Sequence, residues 1–330
     1  MIDKTDIEFQ TDELLRIDNL HTHFFSKEGV VKAANGVDLS VRQNSILGIV
    51  GESGSGKTVT VLSMLRLIPY PGEIIRGSVY FKGLDLLSVD EEQLLTIRGR
   101  HISMIFQDPK GSLNPLETIG DQISEIILAH EMVSIQEAID RTRDLLREVD
   151  LPQQVFNQYP FQISGGMAQR AMIAMATAWR PDLLIADEPT SNLDMTIQAD
   201  ILNRLKEMQN QNKSSIILIT HNLGVIAQMA DQLAVMYGGS IMEVGDTVSL
   251  FEHPMHPYTL GLMQSVVRLD QANKRLNPIP GNPINPFNMT DQCPYLSRCP
   301  KASNECRLNR KPPLVEVSTG HKVACYNMID

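Results

Sequence analysis

Apolar and polar positions along the 330-residue chain change rhythm three times. From residue 14 to about 81, short strand-like runs dominate. Residues 45–50 are apolar without alternation, which predicts a strand buried on both faces. A glycine-rich turn follows, and then a helical segment over 57–67. Residues 78–81, closed by Lys82 and Gly83, read as a strand entering a turn. From 115 to 150 the pattern becomes helical. Ser134 and Glu137 form a capping-box signature, after which Ala138, Ile139, Leu145, Leu146 and Val149 recur at helical spacing. Leu151-Pro152 ends the run. From 182 onward strands (183–186, 215–220) alternate with a helix (197–209). Residues 233–237, Gly238-Gly239 and 240–244 predict a hairpin. Buried strands alternating with helices point to an α/β domain with a mostly parallel sheet, into which a helical segment is inserted. Beyond about 251 prolines become dense and periodicity fades, so the end of the chain reads as a small, loop-rich unit that needs a staple.

Composition narrows the classes. The apolar fraction is 42% and the charged fraction 21%, ordinary for a globular protein. A formal net charge of −10 argues against general affinity for nucleic acid. The most apolar tract, 171–179, is closed by Arg180 and Pro181 and is too short to span a bilayer. The first six residues are polar and acidic, with no pattern of a secretory signal, so the expected compartment is the cytoplasm.

The chemistry begins after the first buried strand. Gly51, Glu52, Ser53, Gly54, Ser55, Gly56, Lys57 and Thr58 fit the pattern G-x-x-x-x-G-K-[ST]. Its glycines let backbone N–H groups turn onto phosphate oxygens. Lys57 supplies a point charge to the β/γ-phosphates, and the Thr58 hydroxyl can ligate Mg²⁺. The strand 183–186 ends in Asp187 and Glu188. Asp187 can hold Mg²⁺, and Glu188 is placed to orient or deprotonate a water. Ser164, Gly165 and Gly166 open a helix, forming a second surface suited to phosphate.

These motifs, in this order, resemble the ABC ATPases. Ile163-Ser164-Gly165-Gly166-Met167 looks like the ABC signature, with Met167 where glutamine is usual. In that family the signature serves the ATP bound to a partner subunit. The resemblance makes Gln107 the Q-loop glutamine, touching Mg²⁺ or the lytic water. It places the D-loop at Ser191–Asp194 and makes His221 the switch histidine at the γ-phosphate. Phe24 and Phe25 are both candidates for stacking on adenine. The implied fold is a P-loop NTPase of ABC type over residues 14–253, with a helical subdomain at roughly 108–165. A C-terminal extension follows over 254–330.

The extension narrows the resemblance. His256-Pro257-Tyr258, Pro280-Gly281-Asn282-Pro283 and the cysteines resemble the tail of oligopeptide/dipeptide importer ATPases. The stretch 159–176 looks like the D-type ATPase of that importer. The resemblance implies a heterodimer with an F-type ATPase, two transmembrane permease subunits and an extracellular peptide-binding protein, with this chain peripheral on the cytoplasmic face of the membrane. Nickel or glutathione import, or a non-transport ABC ATPase, are the alternatives.

All four cysteines, Cys293, Cys299, Cys306 and Cys325, fall within the last 40 residues at C-x5-C-x6-C-x18-C spacing. The spacing leaves a [4Fe–4S] cluster, zinc or free thiols open, whereas a reducing compartment disfavours disulfides. The family resemblance implies the [4Fe–4S] cluster, with Arg298, Lys301, Arg307, Arg310 and Lys311 offsetting the thiolate charge.

Overall fold

A computed structural model describes residues 12–191, 193–265 and 278–329. The first six residues, and Asn192 of the expected D-loop, lie outside the described residues. The chain forms two compact units, one from residues 1–89 and 219–330, the other from 90–218.

The first unit opens with two strands of 14 residues each, β1 (Glu13–Ser26) and β2 (Gly29–Arg42), paired antiparallel. Then come β3 (Ile46–Val50), α1 (Lys57–Met64), β4 (Gly72–Phe81) and β5 (Leu84–Asp85). β2, β1, β4 and β5 make one antiparallel sheet. Leu15, Ile17, Leu20 and Val37 are fully buried in it. β3 is buried at every position, as an apolar run without alternation requires.

The second unit runs α2 (Glu91–Ile97), β6 (Ile102–Ile105), α3 (Pro109–Ser112), α4 (Ile119–His130), α5 (Ile135–Glu148), α6 (Gly165–Thr177), β7 (Leu183–Asp187), α7 (Met195–Asn212) and β8 (Ser215–Ile219). The strands lie in the order β6-β7-β8, and β6 pairs parallel to β7. α4 turns Ile119, Ile123 and Ile127 inward, one turn apart, and α5 offers Ala138, Thr142 and Leu146. One polar pair crosses this seam, Ser124 Oγ to Thr142 Oγ1 at 2.8 Å, so neither buried hydroxyl is orphaned. Ser134 caps α5 by accepting the Glu137 N–H.

The chain then supplies the first unit with α8 (Leu223–Met229), β9 (Gln232–Tyr237), β10 (Ser240–Asp246), α9 (Thr247–Glu252), α10 (Pro257–Gln264), α11 (Asn304–Leu308), β11 (Val315–Ser318) and β12 (His321–Val323). β9 and β10 form the expected hairpin, and β3 pairs parallel to β9. The loop-rich tail is thus not separate from the sheet: β12 pairs with β10, and β11 with β12. Among the described residues no helix is long and apolar enough to cross a membrane.

Candidate nucleotide site

In the first unit, β3 delivers the chain into the glycine-rich loop and α1 carries it away at Lys57. Gly56 has φ near 100°, and a Cβ there would collide with the Ala33 carbonyl oxygen. A Cβ on Gly51 would collide with the Met236 carbonyl oxygen. Both positions therefore demand glycine. The loop is tied to the β9–β10 turn, where the Gly239 N–H donates to the Ser55 carbonyl at 2.9 Å. Lys57 is only 7% exposed. Its ammonium donates to the carbonyls of Gly51 at 2.8 Å and Glu52 at 3.1 Å. That cation is held over the loop, where an anion would need it.

His221 follows β8 and is exposed. The Thr220 N–H before it donates to Ile49 of β3, which ties it to the strand that feeds the loop. The next residue, Asn222, caps α8 by accepting the N–H groups of Gly224 and Val225. Of the two aromatic candidates, Phe24 has its ring against Gly72, whereas Phe25 is exposed on β1.

In the second unit, β7 ends on Asp187, which is 2% exposed. The next residue, Glu188, has φ near 47°, the left-handed region that a non-glycine residue adopts at a cost of about 1–2 kcal/mol. This bend turns Glu188 away from the strand direction. Its carboxylate accepts from Gln107 Nε2 at 3.1 Å, and its carbonyl accepts the Ser191 N–H at 3.1 Å. The fold thus brings together Gln107, Glu188 and Ser191, residues from three of the motifs that the sequence singled out. Asp194 caps α7 by accepting the N–H groups of Thr196 and Ile197. Ser164 caps α6, and its hydroxyl accepts the Met167 N–H. Gly165 is exposed, with open space where a side chain would stand. The N-terminus of this 13-residue helix therefore presents bare backbone, as an anion-binding surface does.

The tail carries contacts that the sequence reading missed. Arg298 does not face the cysteines as a counter-charge; it pairs with Glu52 of the loop at 2.7 Å. Tyr258 is more than a family marker, since its hydroxyl accepts the Glu52 N–H at 3.0 Å. Lys311 donates to the Asn35 carbonyl and Ser240 Oγ.

Residues 34–191 match the family model described as ABC transporter, and residues 242–306 match that of the oligopeptide/dipeptide transporter, C-terminal region. A probable peptide ABC transporter ATP-binding protein of Sinorhizobium fredii is 44% identical, over 96% of each chain. The chain belongs to the ATP-binding subunits of ABC transporters, in their oligopeptide/dipeptide branch. The dipeptide transport ATP-binding protein DppD of Bacillus subtilis is 44% identical, covering 96% of this chain and 95% of its own. OppD of Salmonella typhimurium, an oligopeptide transport ATP-binding protein, is 42% identical over 96% of this chain and 94% of its own. Among solved structures, the ATP-binding cassette MJ0796, in a dimer bound to ADP and Pi, is 25% identical. Its TM-score is 0.65, over 71% of this chain and 99% of that one. The fold is that of an ABC ATPase.

One expectation drawn from the peptide-importer resemblance, the [4Fe–4S] cluster, is corrected. The four cysteines do line one cavity, together with His256 and Tyr295. However, among the described residues no group of three or more His, Cys, Asp or Glu side chains is arranged to hold a metal ion. The cavity measures about 20 Å³, room for about one water. Burial pushes the Cys293 thiol up to about 12 and raises Cys299 and Cys325 as well, so the thiols of the metal-free chain are neutral. Neither the [4Fe–4S] cluster nor zinc is supported. The tail is stapled instead by strand pairing and by buried polar contacts.

Proposed function

We propose that this ABC subunit binds and hydrolyses ATP to power import of di- and oligopeptides, as a peripheral subunit on the cytoplasmic face of the membrane. The observation that carries the reading is the pairing of a phosphate loop with a tail of the oligopeptide/dipeptide type, in a chain that matches peptide-transport ATP-binding proteins almost end to end. We take residues 14–253 as the nucleotide-binding domain, with a helical subdomain at roughly 108–165, and 254–330 as the C-terminal domain.

The residues divide the work. The loop from Gly51 to Thr58 and the buried Lys57 ammonium hold the phosphates. The oxygen donors Thr58, Asp187 and Gln107 suit a hard cation, and they would hold Mg²⁺. When bound, Mg²⁺ neutralises charge building on the phosphates. Gln107 holds the Glu188 carboxylate in place. Glu188 accepts the proton of the attacking water, and His221 contacts the γ-phosphate. Ser164, Gly165, Gly166 and Asp194 serve the nucleotide of a partner ATPase, the F-type subunit. The Met167 side chain cannot donate a hydrogen bond, so Ser164 and the α6 backbone carry the polar contacts of that surface. Two permeases and an extracellular peptide-binding protein complete the transporter.

The test is uptake of a labelled dipeptide by the transporter reconstituted in vesicles. Uptake should require ATP and disappear with Lys57→Ala. A transporter that took up nickel or glutathione but no peptide would overturn the substrate assignment.

A further inference from the structure

The second residue of the phosphate loop is held by the C-terminal extension from two sides. The Glu52 N–H donates to the Tyr258 hydroxyl at 3.0 Å, and the Glu52 carboxylate accepts from Arg298 at 2.7 Å. Arg298 is itself fixed. Its side chain is 5% exposed, its Nε donates to the Pro280 carbonyl at 2.8 Å, and its guanidinium lies over the Tyr237 ring and donates to that hydroxyl. Tyr258 is equally constrained. Its N–H donates to His256 Nδ1, and the His256 N–H donates to Glu243, a carboxylate with no exposed surface. Tyr258 and Tyr237 pack with ring centroids 4.7 Å apart.

Glu52 also connects these braces to the reacting end of the loop. Its carbonyl accepts from the Lys57 ammonium at 3.1 Å. Moving Glu52 therefore moves a ligand of the lysine. A carboxylate on a loop that receives a triphosphate also opposes the ligand's charge, and a paired guanidinium removes that opposition.

We infer that Arg298 and Tyr258 are positioning residues of the nucleotide site, holding Glu52 so that the loop and Lys57 are set for phosphate and the Glu52 charge is neutralised. The C-terminal extension is thereby part of the ATP site. This rests on the reading that the loop binds ATP.

The test uses the full chain, with MgATP affinity measured by titration calorimetry and thermal unfolding measured in parallel. The wild-type chain should bind. Arg298→Gln should weaken ATP by about tenfold, because it leaves a half-buried carboxylate unpaired beside the phosphates. Arg298→Lys should recover part of the loss, since it keeps charge but not the fork. Glu52→Gln combined with Arg298→Gln should bind more tightly than Arg298→Gln alone, an effect that a merely structural role would not produce. If Arg298→Gln does not fold, Tyr258→Phe carries the test: it removes one hydroxyl and should cost about threefold. Arg298→Gln or Tyr258→Phe binding ATP like the wild type, with only a lower unfolding temperature, would overturn the inference. So would a double variant no better than Arg298→Gln. A wild-type chain without ATP affinity would overturn the ATP reading and the inference together.

Discussion

At the scale of single residues, the site relies on side chains held in demanding surroundings. Lys57 is buried against carbonyls of its own loop, so its charge is oriented before any phosphate arrives. Lys57→Ala should lower ATP affinity by at least about a hundredfold, read by titration, because a charge-assisted contact to a polyanion is lost in a low-dielectric loop. His256 tests the tail in a different way. It is buried, and desolvation lowers its pKa to about 3. The unfolded chain protonates this histidine near the usual 6.5, so between those values the unfolded state binds more protons. Stability from His256 is complete above about pH 6.5 and is lost as pH falls toward 3. The slope is up to about 1.4 kcal/mol per pH unit. His256→Asn, followed by denaturant unfolding between pH 4 and 7, should flatten that slope.

At the scale of elements, most buried strands and the central motifs were legible. β3, β7, β8 and the β9–β10 hairpin fall where unbroken apolar runs end at turn residues. The cap of α5 was also readable, from Ser134. Ser134→Ala should cost about 1 kcal/mol of stability and leave ATP affinity unchanged, since α5 carries none of the proposed ATP contacts. The length of β1 and β2 was not readable. Their register shifts at four places between Glu13 and His23, and each irregularity breaks the period of two. β11 and β12 were hidden because they are short, lie in a proline-dense tail and gain their partner from β10. The same separation hid the pairing of Arg298 with Glu52, residues 246 positions apart in the chain. Local charge near the cysteines suggested a thiolate partner for Arg298, and only the fold gives it a carboxylate.

At the scale of the whole molecule, the family supplies the role proposed for each motif. The matched relatives are ATP-binding proteins of oligopeptide and dipeptide transport, and the chain spans nearly their full length. Under the proposed function ATP turnover belongs to an assembly, because that proposal assigns the α6 N-terminus to a partner's nucleotide. The Gln107–Glu188 contact places the proposed general base under the control of a residue that leads into the helical region. The most direct test is ATP hydrolysis by the assembled transporter carrying Glu188→Gln, with ATP binding measured on the same sample. Binding should persist while turnover falls by at least about a hundredfold, the scale that a positioned general base contributes. Turnover equal to that of the wild type would contradict the assignment of Glu188 and the hydrolytic mechanism built on it.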